Sequence, residues 1–278
     1  MAKQAKIPNA IAQCAIVVTV IGFLVVAPAS RLLAGNEEHA KAVVERAIEA
    51  HGGADVVTKY RGGWHRTESL SDLGNMECRL TVEETYLWPS QFRTEIRGQL
   101  IPKQEGLAIN GNDDGQKFTI VQLVSGDEFK KTMNGLSVTI DDAEREQIRI
   151  GAVIRDARRL VPLLDSAKYT LASAAGENVR GRPAEVVEVR CEGIRELRLF
   201  FDQETGLLVK TFHQIPDPST GGSEEATVET ELSDYQNVQG LKMSMKQVVY
   251  VNGRETTTMT VTDAKLLESV DRNIFSLE

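Results

Sequence analysis

The residues able to carry chemistry are few, and their spacing limits what they can do. Four histidines occur, His39, His51, His65 and His213. No two of them stand in an H-E-x-x-H arrangement, which would turn two imidazoles to one helix face, and no C-x-x-C pair supplies thiolates for a metal. His51, followed by Gly52-Gly53, reads as a helix-end residue favoured by the negative end of the helix dipole, and all four are expected to be structural. There is no G-x-S-x-G nucleophile elbow and no Walker sequence. Residues 110–115, Asn-Gly-Asn-Asp-Asp-Gly, match the first half of a calcium loop, but the twelfth position is Val121, where a bidentate carboxylate is required. An Asn/Asp/Gly turn accounts for the same residues. The adjacent acids Glu83-Glu84, Asp113-Asp114 and Asp141-Asp142 are ordinary solvated features of an acidic chain, since sequence adjacency does not place two carboxylates around one bond. The expectation is a protein with no catalytic residues, no metal and no cofactor, and not an enzyme.

What remains is apolar and alternates. Met76, Cys78, Leu80, Val82, Tyr86 and Trp88 share one strand face, interrupted by Glu84. Glu77, Arg79, Thr81, Glu83 and Thr85 share the other, as in a sheet wet on one side. Leu197, Leu199 and Phe201 alternate in the same way with Arg198 and Phe200. The aromatic residues Trp64, Tyr86, Trp88, Phe92 and Phe118 either line an apolar cavity or pack in an ordinary core. Cys78 and Cys191 each fall on the apolar side of a strand, which leaves two readings: a disulfide joining two strands, or two buried thiols acting as small hydrophobes.

The elements that would position these side chains are mostly strands. Asn36-Glu37-Glu38 starts a helix with a cap and favourable acids; Ala42, Val43, Ala47 and Ile48 give it an apolar stripe, and His51-Gly52-Gly53 stops it. A second helical segment begins at Asp141 with a capping box to Glu144. It continues through Ile150, Val153, Ile154, Ala157, Leu160, Val161 and Leu164, with Pro162 bending or ending it. Residues 202–207, Asp-Gln-Glu-Thr-Gly-Leu, form a turn, Val251-Asn252-Gly253-Arg254 a hairpin connection, and residues 217–225 a Pro/Ser/Gly loop. Chained hairpins with two helices predict an α+β fold in which the helices bury their stripes on the sheet.

The first 35 residues differ from the rest. They hold Lys3, Lys6 and Arg31 and no acid, and residues 11–29 are apolar apart from Gln13, Thr19 and Pro28. Ala27-Pro28-Ala29 fits a small-x-small cleavage pattern, while the length of the run approaches that of a membrane span. A cleaved signal peptide and a retained inner-membrane anchor are both consistent, and either exports residues 36–278. Gln13 before Cys14 does not suit a lipid-attachment site. Residues 36–278 carry 29 basic and 40 acidic groups, a balance that opposes nucleic-acid binding.

An ordered set of short motifs adds a resemblance: Trp88-Pro89-x-x-Phe92-Arg93, Gly181-Arg182-Pro183-Ala184, Phe201-Asp202-x-x-Thr205-Gly206-Leu207, Asp234-Tyr235 with Gly240-Leu241, and the closing Ile274-Phe275. Over residues 37–278 the chain resembles the LolA/LppX-like superfamily of exported lipoprotein and lipid carriers. The resemblance implies one domain over residues 36–278, a strongly curved antiparallel sheet forming an unclosed half-barrel, with helices covering its concave face. It also implies a periplasmic or cell-envelope protein holding an acyl chain, lipid or lipoprotein in an apolar cavity, with envelope membrane proteins as further partners. Strand alternation then nominates Leu80, Val82, Tyr86, Trp88, Leu197, Leu199 and Phe201 as cavity residues, leaving Arg79, Glu83 and Arg198 outward. The alternative is an anchored envelope interaction protein of the same fold with a filled core and no cargo.

Overall fold

The structure, a computed structural model, describes residues 33–103, 115–216 and 225–276. The leader or anchor expected for residues 1–35 lies outside them except for its last three residues, as do the Asn/Asp/Gly turn at 110–114 and most of the loop at 217–225. Thirteen strands form one antiparallel sheet in the order β6-β5-β4-β3-β2-β1-β13-β12-β11-β10-β9-β8-β7. The sheet is open, with β6 and β7 as its edges, and its helices make the fold α+β. The described residues gather into two compact units, one within 60–145 and 255–276, the other within 33–59 and 146–254.

The first unit holds β1 (Gly62–Asp72), β2 (Met76–Leu87), β3 (Gln91–Pro102), β4 (Gln116–Ser125), β5 (Glu128–Met133), β6 (Leu136–Val138) and nearly all of β13 (Arg254–Leu267). Its register explains its core. Val82 lies opposite Ile96, Ile96 opposite Ile120 and Ile120 opposite Met133, so one buried row crosses four strands. In the neighbouring row Leu80 faces Gly98, and Gly98 faces Phe118. A Cβ at Gly98 would stand 2.1 Å from the Phe118 ring, so the glycine is the space into which that ring folds.

The second unit carries the helix α1 (Leu33–His51), the short helix α2 (Ala54–Lys59), and most of α3 (Asp142–Ala157). Its strands are β7 (Thr170–Val179), β8 (Arg182–Cys191), β9 (Ile194–Asp202), β10 (Leu208–Pro216), β11 (Glu225–Val238) and β12 (Leu241–Val251). Ala40, Val43, Val44, Ala47 and Ile48 form the stripe of α1, each at most 3% exposed. That spacing is the i, i+3, i+4, i+7, i+8 pattern of a core-facing helix. The helix begins three residues before the expected cap, so Asn36 lies within it, with its carbonyl accepting from the Ser173 hydroxyl at 2.7 Å. Helix α3 has the expected cap: the Glu144 amide donates to Asp141 Oδ1 at 2.8 Å. It stops at Ala157, well before Pro162; Leu160 takes a positive φ of 67°, and a 3₁₀ turn, Val161–Leu164, follows. Asp156, buried at the end of α3, accepts from the Tyr169 hydroxyl at 2.9 Å and from Arg159 at 3.1 Å, which ties the helix end to the strand that follows.

The motif residues of the sequence converge on the C-terminal end of α1. Gly53 donates to the Ile48 carbonyl and Gly52 to that of Glu49, a Schellman closure. Gly52 has a φ of +127°, and a Cβ there would meet the Gly240 carbonyl at 2.4 Å. Gly206 also packs against the helix, less tightly, where its added Cβ would lie 3.0 Å from the Ala50 methyl. His51 sits between, its ring edge-on to Tyr235 at 5.6 Å and its Nδ1 2.7 Å from the Ala47 carbonyl. Burial lowers its pKa against the raising effect of that hydrogen bond. The side chain is therefore neutral at pH 7, and the expected charge–dipole contact is replaced by a hydrogen bond and a ring contact. Tyr235 in turn donates its hydroxyl to the Leu208 carbonyl.

Asp202 organises the 202–207 turn. It accepts from the Thr205 amide and hydroxyl at 2.8 and 2.9 Å and from Arg182 at 2.6 and 3.0 Å, so the Gly181-Arg182 and Asp202-Thr205-Gly206 motifs are one structure. The Arg182 guanidinium and the Thr205 bonds hold this carboxyl well below the usual carboxylate range, against the opposing effect of burial. Cys191 is a free thiol, pushed up to about 11 by burial. The reading in which it pairs with Cys78 is therefore not realised; Cys191 is a part-buried thiol packed against the apolar cluster of its unit.

Two outcomes follow for stability. Gly52→Ala is expected to cost about 1–3 kcal/mol, from a strained φ plus a carbonyl clash. Gly253→Ala, with a φ of +74° but open space around it, should cost about 1 kcal/mol or less; urea midpoints of the two variants decide, and equal midpoints would refute the clash. Asp202→Asn should lose about 1–3 kcal/mol at pH 7. Because the folded carboxyl titrates below its unfolded value of about 4, its contribution is full above that pH and fades as pH falls further. The gap in urea midpoint between wild type and Asp202→Asn should therefore close below about pH 4; a gap unchanged at pH 2.5 would count against the Arg182 pairing.

Candidate functional site

The seven nominated residues divide between the two units. In the first, Leu80 and Val82 are buried, with 2% and 8% exposure, in the row cluster with Ile96, Phe118, Ile120 and Met133. Tyr86 is also buried, and its ring meets Trp88 at 5.0 Å; Trp88 meets Phe92 edge-on at 5.5 Å. Arg79 and Glu83 lie on the opposite, wetter face, where Glu83 accepts from Arg66 and Arg97 at 3.0 and 3.1 Å. Glu84, which breaks the apolar alternation, is buried and accepts from the Thr94 hydroxyl at 3.1 Å.

In the second unit Leu197, Leu199 and Phe201 are at most 1% exposed and pack with Val187, Val189, Leu171 and the stripe of α1. The reverse face of this sheet is not wet. Phe200 and Phe212 are buried there with Val179, Ala184 and Val186. Arg198 lies 4.0 Å from the Phe212 ring centre and Lys210 4.2 Å from that of Phe200, roofing the aromatic layer by cation–π contact. Glu177, Glu196 and Glu229 neutralise these cations at 3.2, 3.0 and 3.0 Å.

Followed across the strands, the helix-bearing face changes character. Val187 and Leu199 lead to Thr211, Thr230 and Val249; Val189 and Leu197 lead to His213, Val228 and Val251. The apolar rows of β8 and β9 thus become polar in β10 and β11. His213 is 4% exposed, and neither ring nitrogen has a hydrogen-bond partner. Burial, and behind it the charge of Arg158, lowers its pKa to about 4. Arg158, just beyond α3, reaches Gln247 Oε1 at 3.3 Å. Its charge also acts on the part-buried Tyr235, whose hydroxyl is held far above the usual phenol range by desolvation. Sequence reasoning missed this pair. Arg158 stands at helical spacing from Ile154 and Val161, beside the apolar stripe, which was the available signal. His213 was hidden by a bulge between Leu208 and Lys210 that inverts the alternation of β10.

Among the described residues no group of three or more His, Cys, Asp or Glu could hold a metal, and no helix is long and apolar enough to cross a membrane. No protein-family model and no curated protein matches the sequence. Solved structures do match in fold. The chain is similar to a LolA superfamily protein from Nitrosomonas europaea, with 10% identity and a TM-score of 0.50 over 86% of this chain and 97% of that one. It is also similar to a putative outer membrane lipoprotein-sorting protein domain from Vibrio parahaemolyticus, with 9% identity and a TM-score of 0.49 over the same shares. At such identities the likeness concerns architecture alone: the open antiparallel sheet with its helices has the fold of that LolA superfamily protein from Nitrosomonas europaea.

Proposed function

We propose that this chain is a non-enzymatic, exported binding protein that holds a hydrophobic ligand against the apolar, helix-bearing face of its sheet. The ligand is an acyl chain, a lipid or an acylated lipoprotein. Residues 36–278 act as the binding domain in the periplasm or cell envelope, behind a leader that is cleaved or that tethers the protein through residues 11–29, and envelope membrane proteins are its further partners. The observation that carries the reading is the open LolA-type sheet whose face bears rows of apolar side chains. Leu80, Val82, Tyr86 and Trp88 are the proposed contacts in the first unit, and Leu197, Leu199 and Phe201 those in the second.

A physical route supports access in the second unit. The stripe of α1 consists of two alanines, two valines and one isoleucine, a small apolar area for a helix of that length. A bound acyl chain would replace it apolar for apolar, at about 0.8 kcal/mol per buried methylene. One observation favours a second reading, an envelope interaction protein with a filled core: Leu197, Leu199 and Phe201 are already covered, at 0–1% exposure.

Leu80→Ala and Leu199→Ala separate the two. Each should cost about 2–5 kcal/mol of stability, so uptake of a fluorescent fatty acid is measured on protein shown to be folded by circular dichroism. The carrier reading expects uptake to weaken at least about fivefold, equivalent to about 1 kcal/mol, with Arg79→Ala unchanged. Folded variants with undiminished uptake would make these residues ordinary core, and a wild type with no uptake and no lipid by native mass spectrometry would leave the filled-core reading.

A further inference from the structure

Arg158 contrasts with most of the arginines among the described residues. Arg182, Arg198, Arg66, Arg97 and Arg180 each reach a carboxylate at 2.6–3.2 Å, and the adjacent Arg159 pairs with Asp156 at 3.1 Å. The chain has 40 acidic residues against 32 basic ones, so carboxylates are not scarce. Yet the part-buried guanidinium of Arg158 meets only the neutral Gln247 amide oxygen, at 3.3 Å, among the described residues. A guanidinium carries five N–H donors in a planar fork suited to an oxyanion, so most of its hydrogen-bonding capacity is unused.

His213, close enough to feel that charge, is the second unsatisfied group. A neutral imidazole has one N–H and one lone pair, and leaving such buried polar atoms unpaired is destabilising. One group with a single neutral partner and a second with none, on the same face of the sheet, suit a guest that accepts hydrogen bonds and carries negative charge. The surroundings say what else the guest must be. His213 lies in register between Leu197 and Val228, and Arg158 is flanked in sequence by Ala157 and near Leu160, both at most 1% exposed in the cluster with Leu197 and Leu199. A free hydrated anion gains nothing from such neighbours, whereas an anion at the end of an apolar chain does.

We propose that Arg158 and His213 form a site for the carboxylate head of an acyl amphiphile, whose chain lies along the apolar rows of β8 and β9. This rests on the ligand reading above and specifies its headgroup. Arg158 supplies the charged fork, His213 an N–H, and Gln247 is the placeholder that keeps the guanidinium oriented when the site is empty.

Calorimetry on the delipidated full chain tests it with oleate, oleyl alcohol, acetate and inorganic phosphate. Oleate is expected to bind at least tenfold tighter than oleyl alcohol, and the two small anions not measurably. Arg158→Gln should erase the oleate preference while leaving oleyl alcohol unchanged, Arg158→Lys should restore part of it, and Arg149→Gln, exposed on α3, should alter neither. Oleate should also shift the ring resonances of His213, a response that a merely structural Arg158 would not transmit. Equal affinity of the wild type for oleate and oleyl alcohol would overturn the headgroup site and leave the carrier reading standing. Absence of binding by either would overturn both, and acetate or phosphate competing with oleate at similar affinity would overturn the amphiphile in favour of a free anion. If Arg158→Gln fails to fold, His213→Gln carries the same comparison, and an unreduced oleate preference in that folded variant would refute the role of the imidazole.

Discussion

The seating of α1 on the strands of its own unit is the constraint from which the rest of that unit follows. An amphipathic helix with a stripe of two alanines, two valines and an isoleucine buries little area on its own account, and area alone would leave it free to slide. Its position is fixed instead at one end, where backbone meets backbone. The Gly52 Cα abuts the Gly240 carbonyl, Gly206 abuts Ala50, and His51 closes against Tyr235. These contacts have little slack: a Cβ at Gly52 would collide with the Gly240 carbonyl, and one at Gly206 would crowd the Ala50 methyl. The Asp202 turn that presents Gly206 is in turn held by Arg182 and Thr205. Small residues and hydrogen-bonded turns thus specify a geometry that hydrophobic burial then stabilises.

Much of this was legible in the chain. The alternation of β2 placed Leu80, Val82 and Tyr86 on one side and Arg79 and Glu83 on the other, because a strand wet on one face leaves a period of two in its residues. The Asn252-Gly253 connection carries positive φ at both residues, 51° and 74°, as the primed hairpin turns require. The stop of α1 at Gly52-Gly53 was equally plain. The start of that helix was not, because Leu33 and Ala34 propagate a helix as readily as Asn36 caps one. The end of α3 was also misplaced: Pro162 forbids continuation, but the chain had already left the helix at Ala157.

The candidate site was the harder part, for two physical reasons. Where both faces of a sheet are covered, alternation loses its meaning: Phe200 is as buried as Leu199 and Phe201, and Arg198 and Lys210 lie over aromatic rings instead of in open water. Where a strand bulges, the faces exchange: Leu208, Thr211 and His213 share one side of β10 although their numbering does not alternate. The single neutral partner of Arg158 and the unpartnered ring of His213 are visible only once every neighbour is in place, since neither leaves a motif in the sequence.

The openness of the sheet has a consequence for the life of the protein in solution. A closed barrel has no strand edges, whereas this sheet exposes two, and an exposed edge is a template on which other chains can polymerise. Both are poor templates. At one end β6 is only three residues long, Leu136–Val138. At the other, the ladder of β7 with β8 is broken by an irregularity between Ala174 and Glu177, and Glu177 adds a charge bound to Arg198. A short edge strand at one end and an interrupted, charge-bearing ladder at the other are the kinds of device that keep an open sheet from pairing with further strands.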